Sequence, residues 1–179
     1  MLSARSVLEE LKTCRVRFCV GLADTALAAL TTLLDNDHSV QFVPVTREGE
    51  AFALASGLWI GGQNAVILVQ NTGLLESGDA LRGTAQRMRV PVLCLITYRG
   101  YSNVLGQKTY PPSKPRDPDE FSTPDLDSAA LATEPTLNAW GVPFEFLTSD
   151  ADLPKILQSF SRAQRESRPV ALLVTNNMA

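Results

Sequence analysis

Histidine is almost missing from this 179-residue chain. His38 is the sole example, so proton shuttling or metal ligation by imidazole is confined to one position. It falls in a turn-like segment, 35–39, with no orienting partner evident, and reads as a surface residue. Cysteine is scarce as well. Cys14, Cys19 and Cys94 are odd in number, sit in or beside apolar runs and form no C-x-x-C pair, which argues for buried free thiols in a reducing compartment. No basic excess exists: 16 Lys and Arg against 19 Asp and Glu leave a net charge of −3, with no electrostatic footprint for nucleic acid or an anionic membrane. No apolar run approaches the roughly 20 residues that cross a bilayer. The N-terminal residues lack the basic start and long apolar core of a secretory signal, so a cytoplasmic location is expected. Signature motifs are missing too: no G-x-G-x-x-G after the first strand, no G-x-x-x-x-G-K-[ST], no G-x-S-x-G and no H-E-x-x-H. A self-contained dehydrogenase, kinase, hydrolase or zinc enzyme is therefore poorly supported.

What is present is a chain that is 45% hydrophobic, enough to build one ordinary core, and residues 1–179 are expected to form a single domain. Leu2, Val7, Leu8 and Leu11 mark a short amphipathic helix, followed by a strand at 17–20 and a turn at 21–25. Apolar residues at 26, 27, 30, 33 and 34 lie on one helical face, with Asp24 or Thr25 placed to cap it. A strand at 40–45, a small-residue helix at 51–59 stopped by Gly61 and Gly62, and a buried strand at 65–70 come next. Asn71, Thr72 and Gly73 read as a polar loop, 75–88 as a helix with Leu81, Ala85 and Met88 inward, and 92–97 as a strand covered on both faces. Five prolines between 111 and 124 make 101–127 a long irregular segment, either a lid or an insert. A helix at 131–140, a strand at 144–147, a helix bearing Leu153, Ile156, Leu157 and Phe160, and a strand at 169–175 complete the chain. Six strands alternating with helices predict a three-layer α/β/α sandwich with a mainly parallel six-stranded sheet.

The stretch around which these elements are organised is 47–73, REGEAFALASGLWIGGQNAVILVQNTG. It puts Glu48 and Glu50 where a strand gives way to a helix, a place that suits carboxylates because a helix N-terminus favours negative charge. Ligands of open α/β sheets also bind at strand ends. Glu48 with Ala51, Ala53, Ala55 and Gly57, then 68–74 (LVQNTGL), and later Pro91-Val92-Leu93 with Tyr98-Arg99-Gly100, resemble the pyrimidine-binding (PYR) domain of thiamine diphosphate enzymes, nearest the decarboxylases of phosphonopyruvate and sulfopyruvate. The likeness covers most of 15–100, fades from 101 to about 132 and returns weakly at 137–147.

The resemblance implies a thiamine diphosphate-binding fold and a decarboxylase of a small anionic 2-oxo acid, in which the cofactor is the electron sink. By position, Glu48 matches the family glutamate that hydrogen-bonds N1′ of the aminopyrimidine, whereas Glu50 matches nothing and reads as helix-start decoration. Gln70, Asn71, Thr72 and Gly73 match the loop beside the aminopyrimidine. Asp24 and Thr25 match a turn that looks toward substrate, and Arg99 stands where a guanidinium could pair with a second anionic group. Each of these has a plain alternative: a cap for Asp24, a turn for 70–73, a surface arginine for Arg99. The family holds the diphosphate through Mg²⁺ on a Gly-Asp-Gly sequence, which is missing here, so no metal ligand is expected in this chain. The resemblance thus implies half a site, completed by a separate diphosphate-binding (beta) subunit in a hetero-oligomer. Carboligation, or a non-catalytic partner-binding role, are the other functions such a chain could serve.

Overall fold

A computed structural model describes residues 1–104 and 117–179. α1 (Ala4–Thr13) opens the chain, capped by the Ser3 hydroxyl, and turns its Val7, Leu8 and Leu11 inward. β1 (Phe18–Gly21) follows, then a 3₁₀ turn (Thr25–Leu27), α2 (Ala28–Asp35), the exposed β2 (Gln41–Pro44), α3 (Glu48–Ile60) and the buried β3 (Ala65–Gln70). β3 runs directly into α4 (Asn71–Glu76), α5 (Gly78–Ala80) and a π-helical stretch (Leu81–Gln86) before β4 (Leu93–Thr97) and the single turn α6 (Tyr101–Val104). Beyond a 3₁₀ turn at Pro118–Ser122 come α7 (Ser128–Ala139), β5 (Phe144–Leu147), α8 (Pro154–Glu166) and β6 (Val170–Val174).

All six strands are parallel, in the order β2-β1-β3-β4-β6-β5. Successive residues of a strand point to opposite faces, and each face has its own core. Val66, Leu68, Leu93, Leu95 and Leu172 pack under α1, α2 and α8, whereas Ile67, Val69, Cys94, Ile96 and Leu173 pack under α3, α4 and α7. Burying one such side chain is worth about 1.5–3 kcal/mol, and the central strands β3, β4 and β6 are almost wholly buried, as apolar parallel strands should be. The three-layer expectation holds. Buried free thiols hold as well, Cys14, Cys19 and Cys94 being unpaired and inside. Among the described residues, no helix is long and apolar enough to cross a membrane.

Four local expectations are corrected. Residues 71–73 are the first turn of α4, because Gln70 takes the extended N-cap conformation and the chain needs no loop. The helix expected over 75–88 is broken at Ser77 and passes into the π stretch, leaving Met88, expected inward, exposed. α7 begins earlier than 131 because the Asp127 carboxylate caps it, accepting the Ala129 and Ala130 N–H groups at 2.9 and 3.1 Å. The irregular segment 101–127 contains α6 and the 3₁₀ turn, while its residues 105–116, with Pro111, Pro112 and Pro115, lie outside the described residues.

Candidate functional site

β1 connects outward to β2, and the chain then crosses back to β3 on the other side of β1. That reversal makes the C-terminal ends of β1 and β3 a switch point of the kind that holds ligands in open α/β sheets. The C-terminal ends of β1, β2, β3 and β4 and the segments that follow them carry every residue selected from the sequence.

After β1, Asp24 caps the 3₁₀ turn by accepting the Leu27 N–H at 2.9 Å through Oδ1. Its Oδ2 accepts the hydroxyl of Thr97, the buried last residue of β4, so one carboxylate ties the first turn to the fourth strand. Thr25 follows on the exposed side.

After β2, α3 starts at Glu48. Glu50 is spent on the helix start: it accepts the Thr46 N–H at 3.0 Å and the Arg47 N–H at 3.4 Å. These bonds, the Thr46 backbone first, hold its carboxyl below the ordinary value. Glu48 differs. It is half-buried, and its carboxylate accepts no hydrogen bond from another described residue. It lies against the backbone of Gly73 at the head of α4, where a Cβ would stand 2.3 Å from Glu48 Cγ and 2.5 Å from Oε1. Glycine is therefore what lets the carboxylate sit there. Arg47 and Glu76 form an ion pair beside this contact, joining the start of α3 to the end of α4.

After β3, Thr72 donates its hydroxyl to Gln70 Oε1 at 2.9 Å. Asn71 is fully buried, and its Nδ2 donates to the Arg99 carbonyl at 3.0 Å and to Thr133 Oγ1 at 3.1 Å, a brace between the head of α4, the turn after β4 and α7. Arg99 itself is 60% exposed and donates from Nε to Asp127 Oδ2 at 2.9 Å, while Asp127 Oδ1 caps α7. Gly100, at φ +77°, approaches Asp127 so closely that a Cβ would lie 2.4 Å from the Asp127 Cβ.

Two adjoining clefts share Arg99. One, of about 370 Å³, is lined by Thr25, Gln70, Thr97 and Arg99 together with Thr175 and Asn176 beyond β6. The other, more open and of about 690 Å³, is lined by Thr72, Arg99, Asn103, Asp125, Asp127 and Ser128. The fold thus brings Thr25, Gln70 and Arg99 to one cleft and Thr72 to the next. Glu48 and Gly73 meet each other outside both linings, and Asn71 lies beneath. Sequence reasoning passed over Thr97, Asp127, Thr133 and the Thr-Asn-Asn run at 175–177. The last had a usable signal, since three polar residues directly follow an apolar strand whose end should face the same side as the others. Among the described residues, no cluster of three His, Cys, Asp or Glu side chains is placed to hold a metal ion.

Comparison with known proteins gives this arrangement a context. The family described as "Thiamine pyrophosphate enzyme, N-terminal TPP binding domain" matches residues 1–117. Sulfopyruvate decarboxylase subunit alpha of Methanothermobacter thermautotrophicus is 31% identical over 98 residues, 55% of this chain and 59% of that protein. The protein of the same name from Methanococcus maripaludis is 29% identical over 100 residues, 56% of this chain and 60% of that one. Phosphonopyruvate decarboxylase of Streptomyces hygroscopicus is 32% identical over 100 residues, 56% of this chain but 25% of its own length. The matched region therefore spans about 60% of the alpha subunits and a quarter of the longer enzyme.

Proposed function

This chain belongs to the thiamine pyrophosphate enzymes, as their N-terminal TPP-binding domain, and from that premise we propose that it is the alpha, pyrimidine-binding subunit of a two-chain decarboxylase acting on a small anionic 2-oxo acid. The observation that carries the reading is the Glu48 carboxylate: partly buried, accepting no hydrogen bond from another described residue, and seated on Gly73 at a switch point of a parallel sheet. Its position and freedom suit a group that must keep a hydrogen bond for a ligand.

The residues present fit an aminopyrimidine. Glu48 would hold the bond to its N1′, and Gln70 and Thr72 would offer short polar groups to its edge. Gly73 would admit the close approach, and Asn71 would fix the turn from below. Thiamine diphosphate, when bound, supplies the electron sink that lets carbon dioxide leave a 2-oxo acid. This chain's part is to hold a proton at Glu48, to orient the ring, and to present Thr25, Asp24 and Arg99 toward the substrate. Diphosphate and Mg²⁺ are assigned to a separate beta subunit, so the working form is a hetero-oligomer in the cytoplasm, with residues 1–179 as one domain. The names of the relatives, "subunit alpha" of sulfopyruvate decarboxylase and phosphonopyruvate decarboxylase, support both the partner and the substrate class.

The test is to co-purify the chain with a candidate diphosphate-binding subunit and follow carbon dioxide release from sulfopyruvate, phosphonopyruvate and pyruvate with thiamine diphosphate and Mg²⁺. Release from the sulfonate or phosphonate acid that depends on both chains is expected. Release from none of the three would overturn the reading.

A further inference from the structure

Resting on the decarboxylase reading, we infer that the cleft of about 370 Å³ seats the substrate's distal anionic group, a sulfonate or phosphonate, and that Asn176 and Asn177 beyond β6 set specificity for it. Three features separate this cleft from its neighbour.

The first is charge. Arg99 is the one charged side chain among the described residues lining the cleft, whereas the neighbouring cleft adds Asp125 and Asp127 around the same arginine. An oxyanion gains from the guanidinium on the first side and meets two carboxylates on the second. The second is unspent hydrogen-bonding capacity. Asn176 Nδ2 donates to the Thr148 carbonyl at 3.0 Å, which leaves its second N–H, while the Asn177 amide and the Thr25 hydroxyl engage no other described residue. Arg99 commits its Nε to Asp127, and its terminal nitrogens donate to no described residue. Tetrahedral oxyanions take several such donors at once.

The third is construction. The end of β6 and the segment beyond it are held by backbone bonds, Tyr98 N–H to the Val174 carbonyl at 2.8 Å and Met178 N–H to the Ala26 carbonyl at 2.9 Å. A parallel bridge joins Leu2 and Met178. Asn176 and Asn177 thus stand on a wall tied to the turns after β1 and β4. The volume lies at the small end of the range for ligand sites.

The probes are 3-sulfopropionate, which lacks the reactive carbonyl, and propionate, which also lacks the distal anion. Titration of the ¹⁵N-labelled full chain with 3-sulfopropionate is expected to shift the side-chain amides of Asn176 and Asn177, with propionate leaving them unmoved. Asn177→Asp, an exposed change that leaves the fold intact, should weaken 3-sulfopropionate about tenfold or more by adding a like charge. Asp125→Asn in the neighbouring cleft should leave its affinity within about twofold. Shifts confined to residues 124–128, no saturable binding, or unchanged affinity in Asn177→Asp would each overturn the inference. The two-subunit assay keeps the two readings apart. Binding at Asn176 and Asn177 without carbon dioxide release overturns the decarboxylase and leaves the cleft assignment standing. Release from sulfopyruvate with the same kcat/KM in Asn177→Asp and the native protein overturns the cleft assignment and leaves the decarboxylase.

Discussion

Replacing Gly73 by alanine should separate the fold from the site. A Cβ at residue 73 would lie 2.3 Å from Glu48 Cγ, against an ordinary contact of at least 3.4 Å, so the Glu48 side chain must retreat by about 1.1 Å. The three nearest atoms that a methyl group would meet all belong to the flexible Glu48 side chain. Gly73 is helical, its carbonyl still accepts the Ser77 hydroxyl at 2.6 Å, and alanine is favoured over glycine in a helix by about 1 kcal/mol. That gain roughly offsets the cost of moving a flexible side chain, so the melting temperature should change by no more than about 2–4 °C, the shift that 1 kcal/mol produces in a domain of this size. Displacement of a reacting group by about 1 Å costs on the order of a hundredfold in rate. The assay pairs a thermal melt of the chain with kcat of the assembled enzyme. Native turnover in Gly73→Ala would refute the argument, since the contact would then have no bearing on the chemistry.

Other perturbations test other parts of the structure. Asn71→Ala removes a fully buried amide that donates to the Arg99 carbonyl and Thr133, and should cost about 1–3 kcal/mol in urea denaturation; a loss below about 0.5 kcal/mol would mean the brace is idle. The Asp37 carboxyl is held well below its ordinary range by the Lys12 ammonium at 2.7 Å, then by the Ser39 hydroxyl and the Val40 N–H, and Asp152 is lowered by Lys155 first and the Thr148 N–H next. Carboxyls depressed by folding stabilise above their unfolded value near 3.9 and lose that contribution as pH falls below it. The urea midpoint should therefore hold from about pH 5 upward and drop below about pH 4, less steeply in Asp37→Asn. Burial pushes the Cys19 and Cys94 thiols up to about 12 and Cys14 up to about 11. A thiol reagent at pH 8 should thus label none of them quickly in the native chain and all three after denaturation.

The sheet was the most legible part of the sequence, because β3, β4 and β6 are near-continuous apolar runs of strand length, the pattern of strands covered on both faces. Glu48 and Glu50 were legible as acids at a helix start, although the helix, expected over 51–59, already begins at Glu48. The segment after β3 was not, since Asn71, Thr72 and Gly73 have loop composition; their helical start is fixed by tertiary contacts, Asn71 reaching Thr133 and Gly73 receiving Glu48. Helix faces were misjudged where the helix departs from a regular period. Met88 follows a π stretch that rotates the face away from the core. Partners distant along the chain were beyond any local pattern: Asp24 with Thr97 and Arg99 with Asp127 are made by the sheet order and by the cap of α7.

The measurement that bears most directly on the central claim is the exchange rate of the C2 proton of thiamine diphosphate with deuterium, followed by NMR on the chain reconstituted with a candidate diphosphate-binding subunit, with native Glu48 and with Glu48→Gln. The account predicts that the substitution slows exchange by at least about a hundredfold while thiamine diphosphate still binds. Equal exchange rates in the two proteins would contradict it.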